Sequence, residues 1–109
     1  IVNWRSFHGV AEIGSWDAIS LRADPYELGG IYDQRSPLTH IRNARTPTLI
    51  LHGDADPLVR VQGGAMSAEL IPKARLRVIR GMGHDFPAQL VPTLASAIRS
   101  HLTHADATA

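Results

Sequence analysis

Thr48-Leu49-Ile50-Leu51-His52-Gly53-Asp54-Ala55-Asp56-Pro57 begins as a β-rich, largely apolar run without polar alternation. Such a run suits a strand buried on both faces, as in a parallel sheet. Gly53 ends it, and two carboxylates and a proline follow. In open α/β sheets ligands bind at the carboxyl ends of strands, so strand, glycine, acid delivers a charged side chain to the edge where chemistry is done. A second stretch repeats the pattern with a histidine: Leu76-Arg77-Val78-Ile79 runs into Gly81-Met82-Gly83-His84-Asp85.

The residues between and beyond these strands read as helices. Val61, Ala65, Ala68 and Leu70-Ile71 fall at helical spacing, and Pro72-Lys73-Ala74 ends that segment before the second strand. Gly63-Gly64 weakens the helix by about 1 kcal/mol per glycine relative to alanine, an expense compatible with close packing on the sheet. After His84, Leu90, Leu94, Ile98 and Leu102 recur every four residues and predict the strongest amphipathic helix of the chain. Pro92 places its start near Val91. The expectation is therefore strands near 48–52 and 75–79, helices near 61–71 and 90–102, and a small polar tail over 103–109 that frays. Strand, helix, strand, helix implies parallel strands with helices on the sheet faces.

Upstream the pattern is looser. Ile1-Val2 reads as the end of a strand, and Trp4, Phe7 and Trp16 as core aromatics. A short helical turn is expected after Asp17. Asp24-Pro25, Gly29-Gly30 and Ser36-Pro37 are turn signals, with Tyr26 and Tyr32 packing the segment down. Ser36 is expected to cap a short helix that Pro37 begins and that runs to about Asn43.

Composition narrows the function classes. With 109 residues and no linker or repeat, the chain is one domain or part of one. Its 44% hydrophobic content is not that of a disordered segment. A net charge of +1 with scattered arginines argues against nucleic acid. No apolar run approaches the roughly 20 residues that cross a bilayer. The lack of cysteine excludes disulfides and thiolate metal sites and favours a reducing compartment such as the cytoplasm.

Asp56 and His84 are the candidate catalytic residues. Adjacent parallel strands joined by one helix bring their ends side by side, and an aspartate against a histidine fixes the imidazole tautomer and stabilises the imidazolium. The third member would be a nucleophile activated by that histidine.

On these residues the chain resembles the α/β-hydrolases. Thr46 to Val59 looks like their acid-bearing segment and Gly81 to Asp85 like their histidine loop, in the order nucleophile, acid, base. The resemblance makes Asp56 the acid, since the family's acid sits three residues after the glycine, and His84 the base. Asn3-Trp4-Arg5-Ser6-Phe7-His8-Gly9, Ala23-Asp24-Pro25-Tyr26-Glu27 and Ser36-Pro37-Leu38-Thr39 are similar to the catalytic domain of prolyl oligopeptidase-family serine peptidases. The histidine loop is closer to small esterase-like α/β-hydrolases. The implied fold is the C-terminal portion of a doubly wound, mainly parallel sheet over residues 1–102. The implied function is a serine hydrolase acting on a peptide or a small ester, with no cofactor or metal.

Ser6, Ser15, Ser20, Ser36, Ser67, Ser96 and Ser100 all fall outside a Gly-x-Ser-x-Gly pattern. The resemblance places the nucleophile elbow before Ile1, so the chain is expected to hold the acid and base without the nucleophile, and its partner would be the preceding part of its own domain. A non-catalytic remnant is the alternative for the chain alone.

Plainer readings exist for each residue. Asp56 could cap the turn that follows it, and His84 could be a loop histidine with satisfied nitrogens. His52 is expected to pack beneath the acid loop, and Asp85 to be solvated. His8, His40, His101 and His104 read as surface or packing residues. His52, Asp54, Asp56, His84 and Asp85 are also a metal-compatible set. However, the metallophosphoesterase pattern would need an acid where Pro57 stands and an asparagine where Gly83 stands.

Overall fold

The computed structural model describes residues 3–11 and 15–108; the strand end expected at Ile1-Val2 lies outside them. Among the described residues the sheet has two parallel strands, β1 (Leu49–Gly53) and β2 (Arg75–Ile79), with Leu49 opposite Arg75 and Gly53 opposite Ile79. Between them runs α4 (Val61–Leu70), and after them α5 (Val91–Thr108). Upstream are α1 (Trp4–Val10), α2 (Ser15–Leu21), α3 (Ile31–Gln34) and a 3-10 segment, Pro37–Asn43. The fold class is α/β, as expected.

Side-chain alternation sorts the two long helices onto opposite faces of the sheet. Leu51 points to the α5 side, where it packs with Ile79, Met82, Leu90 and Leu94. His52 points to the α4 side, against Gly64. A β-carbon on Gly64 would lie 2.8 Å from the imidazole, whereas one on Gly63 would meet nothing within 4 Å. Only the second of the paired glycines is thus needed for helix–sheet contact. His52 donates from Nδ1 to its neighbour's carbonyl, Gly53 O, at 2.8 Å, which matches its expected packing role.

β1 is half-buried, and β2 is exposed from Arg75 to Val78. That departs from the burial on both faces expected of the first strand. In a two-stranded sheet each strand is an edge, and each face is covered by one helix.

Helix α5 begins at Val91, where Pro92 costs no internal hydrogen bond. A short 3-10 turn, Ala88–Leu90, precedes it. The expected frayed tail is instead helical to Thr108. Thr103 to Thr108 contains neither glycine nor proline, and Thr103 Oγ1 donates back to the Arg99 carbonyl at 3.1 Å.

The upstream helices form a second packed unit around Phe7, Tyr32 and Ile41, all buried. Asn3 caps α1 by accepting from the Ser6 amide at 3.0 Å. Arg5 bridges to Asp33 at 2.7 Å and to the Glu27 carbonyl at 2.9 Å, tying α1 to α3 and to the turn before it. Ser36 stands at the N-cap of the 3-10 segment that Pro37 begins, as expected, but its side chain makes no capping bond. Its hydroxyl donates to Tyr32 O at 2.6 Å and accepts the Trp4 amide at 2.9 Å, because the first turn of α1 needs that acceptor. Tyr26 is 73% exposed, so of the two tyrosines only Tyr32 packs the segment down. Trp16 is half exposed and stacks on Trp4 at a ring separation of 6.3 Å, so it is a surface aromatic and not a core one.

Candidate active site

Both loops leave the carboxyl ends of the paired strands, so the parallel register puts them side by side. Backbone bonds stitch them: the Asp54 amide donates to Ile79 O at 3.3 Å and the Ala55 amide to Met82 O at 3.1 Å. The crossing is so close that Gly53 has no space for a side chain; a β-carbon there would collide with the Met82 carbonyl. The glycine that ends β1 is therefore required by the histidine loop lying over it.

This contact brings together the two residues singled out in the sequence. His84 Nδ1 and Asp56 Oδ2 are 2.8 Å apart, across 28 residues of sequence. The Asp56 side chain is 7% exposed and that of His84 53%. Burial alone pushes the Asp56 carboxyl up. The His84 hydrogen bond and the Val59 and Leu58 amides outweigh it and hold the group below the ordinary aspartate range. Asp56 is then an ionised acceptor at neutral pH. The shared hydrogen sits on Nδ1, which leaves the Nε2 lone pair free to act as a base.

The two readings of Asp56 both hold, one per oxygen. Oδ1 accepts from the Leu58 and Val59 amides, each at 2.9 Å, and so caps the turn. Oδ2 holds the imidazole. Asp54 turns away and accepts the Gly81 amide at 2.6 Å. Asp85 is exposed. Leu51, Val59, Met82 and Phe86 line an apolar depression beside the imidazole, with Phe86 74% exposed.

Among the described residues no serine hydroxyl bonds the His84 ring, and no group of three or more histidine, aspartate or glutamate side chains is arranged to hold a metal. His52 faces α4 while Asp54 and Asp56 engage separate parts of the histidine loop, so the metal-compatible residues of the sequence do not converge.

A second aspartate–histidine pair was not anticipated. Asp17 is fully buried in α2, and both its oxygens lie near His8 Nδ1, at 3.1 and 3.3 Å. The His8 ring also meets Tyr26 and Tyr32 edge-on, each at 6.0 Å. Desolvation, with the Asp17 carboxylate next, raises the buried Tyr32 hydroxyl to about 12. The sequence signal was an acid amid Trp16, Ala18 and Ile19, where a charge needs a partner.

Comparison with known proteins bears on the family and the fold. The chain is 45% identical over 60 residues to a Bacillus subtilis protein described as an uncharacterized peptidase, YuxL, a stretch that covers 51% of this chain and 9% of that protein. It is 29% identical over 94 residues to the 2-hydroxymuconate semialdehyde hydrolase of Pseudomonas putida, covering 86% of this chain and 34% of the relative. The chain thus spans a third or less of the length of these curated relatives. The crystal structure of the esterase RhEst1 from Rhodococcus superposes with a TM-score of 0.57 over 94% of this chain and 41% of its own, at 23% identity, which is a likeness of fold. Residues 5–88 match the α/β-hydrolase fold family. With most of its length inside that match, and the strand ends carrying their acid and histidine, the chain belongs to the α/β-hydrolase fold family.

Proposed function

We propose that Asp56 and His84 are the acid and general base of a serine hydrolase triad, and that the nucleophile comes from a segment outside these 109 residues. The observation that carries this reading is the 2.8 Å bond between His84 Nδ1 and a carboxylate whose side chain is buried. The bond orients the imidazole with Nε2 outward on a ring half open to solvent. In that state Nε2 takes the proton of a serine hydroxyl as the hydroxyl attacks an acyl carbon, then returns it to the leaving group. Asp56 stays ionised and stabilises the imidazolium.

The substrate class we favour is a peptide, in a prolyl oligopeptidase-like enzyme. The 45% identity to a protein named as a peptidase supports it, together with the Asn3 to Gly9 segment. A small ester is the second reading. The Gly-Met-Gly-His-Asp loop and the apolar lining by Leu51, Val59, Met82 and Phe86 favour that one.

The test joins this chain to an upstream strand and Gly-x-Ser-x-Gly elbow, and probes both forms with a fluorophosphonate, p-nitrophenyl esters and peptidyl nitroanilides. The 109-residue chain alone is expected to stay unlabelled. The joined protein should label at one serine, and Asp56→Asn should lower its kcat by about 10⁴-fold. Labelling of the short chain at one of its own serines, lost in His84→Ala, would refute an external nucleophile. Faster turnover of nitroanilides than of esters separates the peptidase from the esterase reading.

A further inference from the structure

We propose that Asp54 is a positioning residue: its carboxylate anchors the start of the histidine loop and so sets the Asp56–His84 contact at the loop's end. The proposal rests on the acid–base reading of that pair.

Three observations carry it. The Met82 amide donates to Ile79 O at 3.3 Å, closing a turn through Arg80 and Gly81. Gly81 has φ +74°, the left-handed conformation that a turn of this kind asks of its third residue. In such a turn the amide of that third residue has no partner within the turn. Here Asp54 Oδ1 supplies it, at 2.6 Å, as a short charge-assisted bond.

The remaining ties between the loops, from the Asp54 and Ala55 amides, are backbone bonds that any residue but proline at 54 or 55 would make. Asp54 Oδ1 is the side-chain tie at the front of the loop, and Asp56 Oδ2 the tie at its back. Two carboxylates on one short loop therefore hold Gly81 and His84, the two ends of a four-residue span. The acid loop and the base loop are set against each other by both. That gives a physical role to the first acid of Gly53-Asp54-Ala55-Asp56, which the triad leaves unused.

The experiment is solution NMR on the 109-residue chain, reading hydrogen exchange of the Gly81 amide and the pH titration of the Asp56 carboxyl carbon. In Asp54→Ala the Gly81 amide should exchange about tenfold faster or more, as expected for losing a charge-assisted bond. The Asp56 midpoint should also move up, because the imidazole no longer sits squarely on it. Asp54→Asn keeps an acceptor oxygen and should restore both readouts. Asp54→Ser, whose hydroxyl is too short to reach Gly81, should repeat the alanine result if the alanine variant does not fold. A turn-capping role alone would change Gly81 exchange and leave the Asp56 titration as in the wild type, and that result would overturn the proposal. His84→Ala separates the two failures. If it leaves the Asp56 midpoint unmoved, the pair itself does not form, and the acid–base reading and this proposal fall together. If it moves the midpoint and Asp54→Ala does not, only the role of Asp54 fails.

Discussion

Replacing Gly53 with alanine tests the central feature of the site, the crossing of the two loops. The new β-carbon would overlap the Met82 carbonyl oxygen and lie 2.6 Å from the Met82 carbonyl carbon and 2.7 Å from Gly83 O. All three are backbone atoms, so no rotamer change relieves the clash. Moving Gly83 O out from 2.7 Å to an ordinary contact of 3.4 Å displaces the loop by 0.7 Å, and Met82 must move further. Gly83 is bonded to His84, so the imidazole shifts with it. The Asp56–His84 separation of 2.8 Å would stretch to roughly 3.5 Å, where a hydrogen bond no longer holds. Overpacking costs about 1–3 kcal/mol. Loss of a charge-assisted bond to a half-exposed ring adds about 1 kcal/mol once solvent screening is allowed for. A total of about 2–4 kcal/mol corresponds to a fall in Tm of about 10–20 °C for a domain of this size. Thermal unfolding followed by circular dichroism gives the Tm, and carbon-detected NMR gives the Asp56 titration, whose midpoint should rise. A Tm within 2 °C of wild type with an unchanged Asp56 titration would show that the loops are not in contact as described.

The two glycines of α4 should respond oppositely: Gly63→Ala should stabilise by about 0.5–1 kcal/mol in urea denaturation, because a β-carbon there meets nothing. Gly64→Ala should destabilise, and should become stabilising once His52→Ala removes the ring it strikes; the same sign in both backgrounds would contradict the contact. The pH dependence follows from Asp56, whose carboxyl is held below its unfolded value of about 3.9. Its contribution is complete above that value and is lost as pH falls through the lower folded value, so acid unfolding of Asp56→Asn should be shallower in that window than that of wild type. Asp17→Ala should cost about 1–3 kcal/mol in thermal melts and Asp17→Asn less, because alanine removes both acceptor oxygens that meet His8 and asparagine keeps one.

The strands, the parallel α/β class and the two loops that carry the candidate site are legible in the sequence, because each is a local pattern. Thr48 to Leu51 is a largely apolar run of strand length and Leu76-Arg77-Val78-Ile79 a β-rich one, Gly53 and Gly81 stop them, and α5 announces itself by a four-residue apolar repeat. The choice of Asp56 over Asp54 came from the family pattern. What separates the two physically, a partner in the histidine loop for each, exists only when the loops meet. The same holds for the features the sequence missed. Ser36 reads as a helix cap until the Trp4 amide arrives from 32 residues away. Asp17 reads only as the residue before a helical turn until His8 meets it, and Gly53 as a simple strand stop until Met82 lies across it. Local propensity sees neighbours along the chain. A hydrogen-bond partner, a collision or a desolvated charge is decided by neighbours in space, and the tertiary structure alone supplies those.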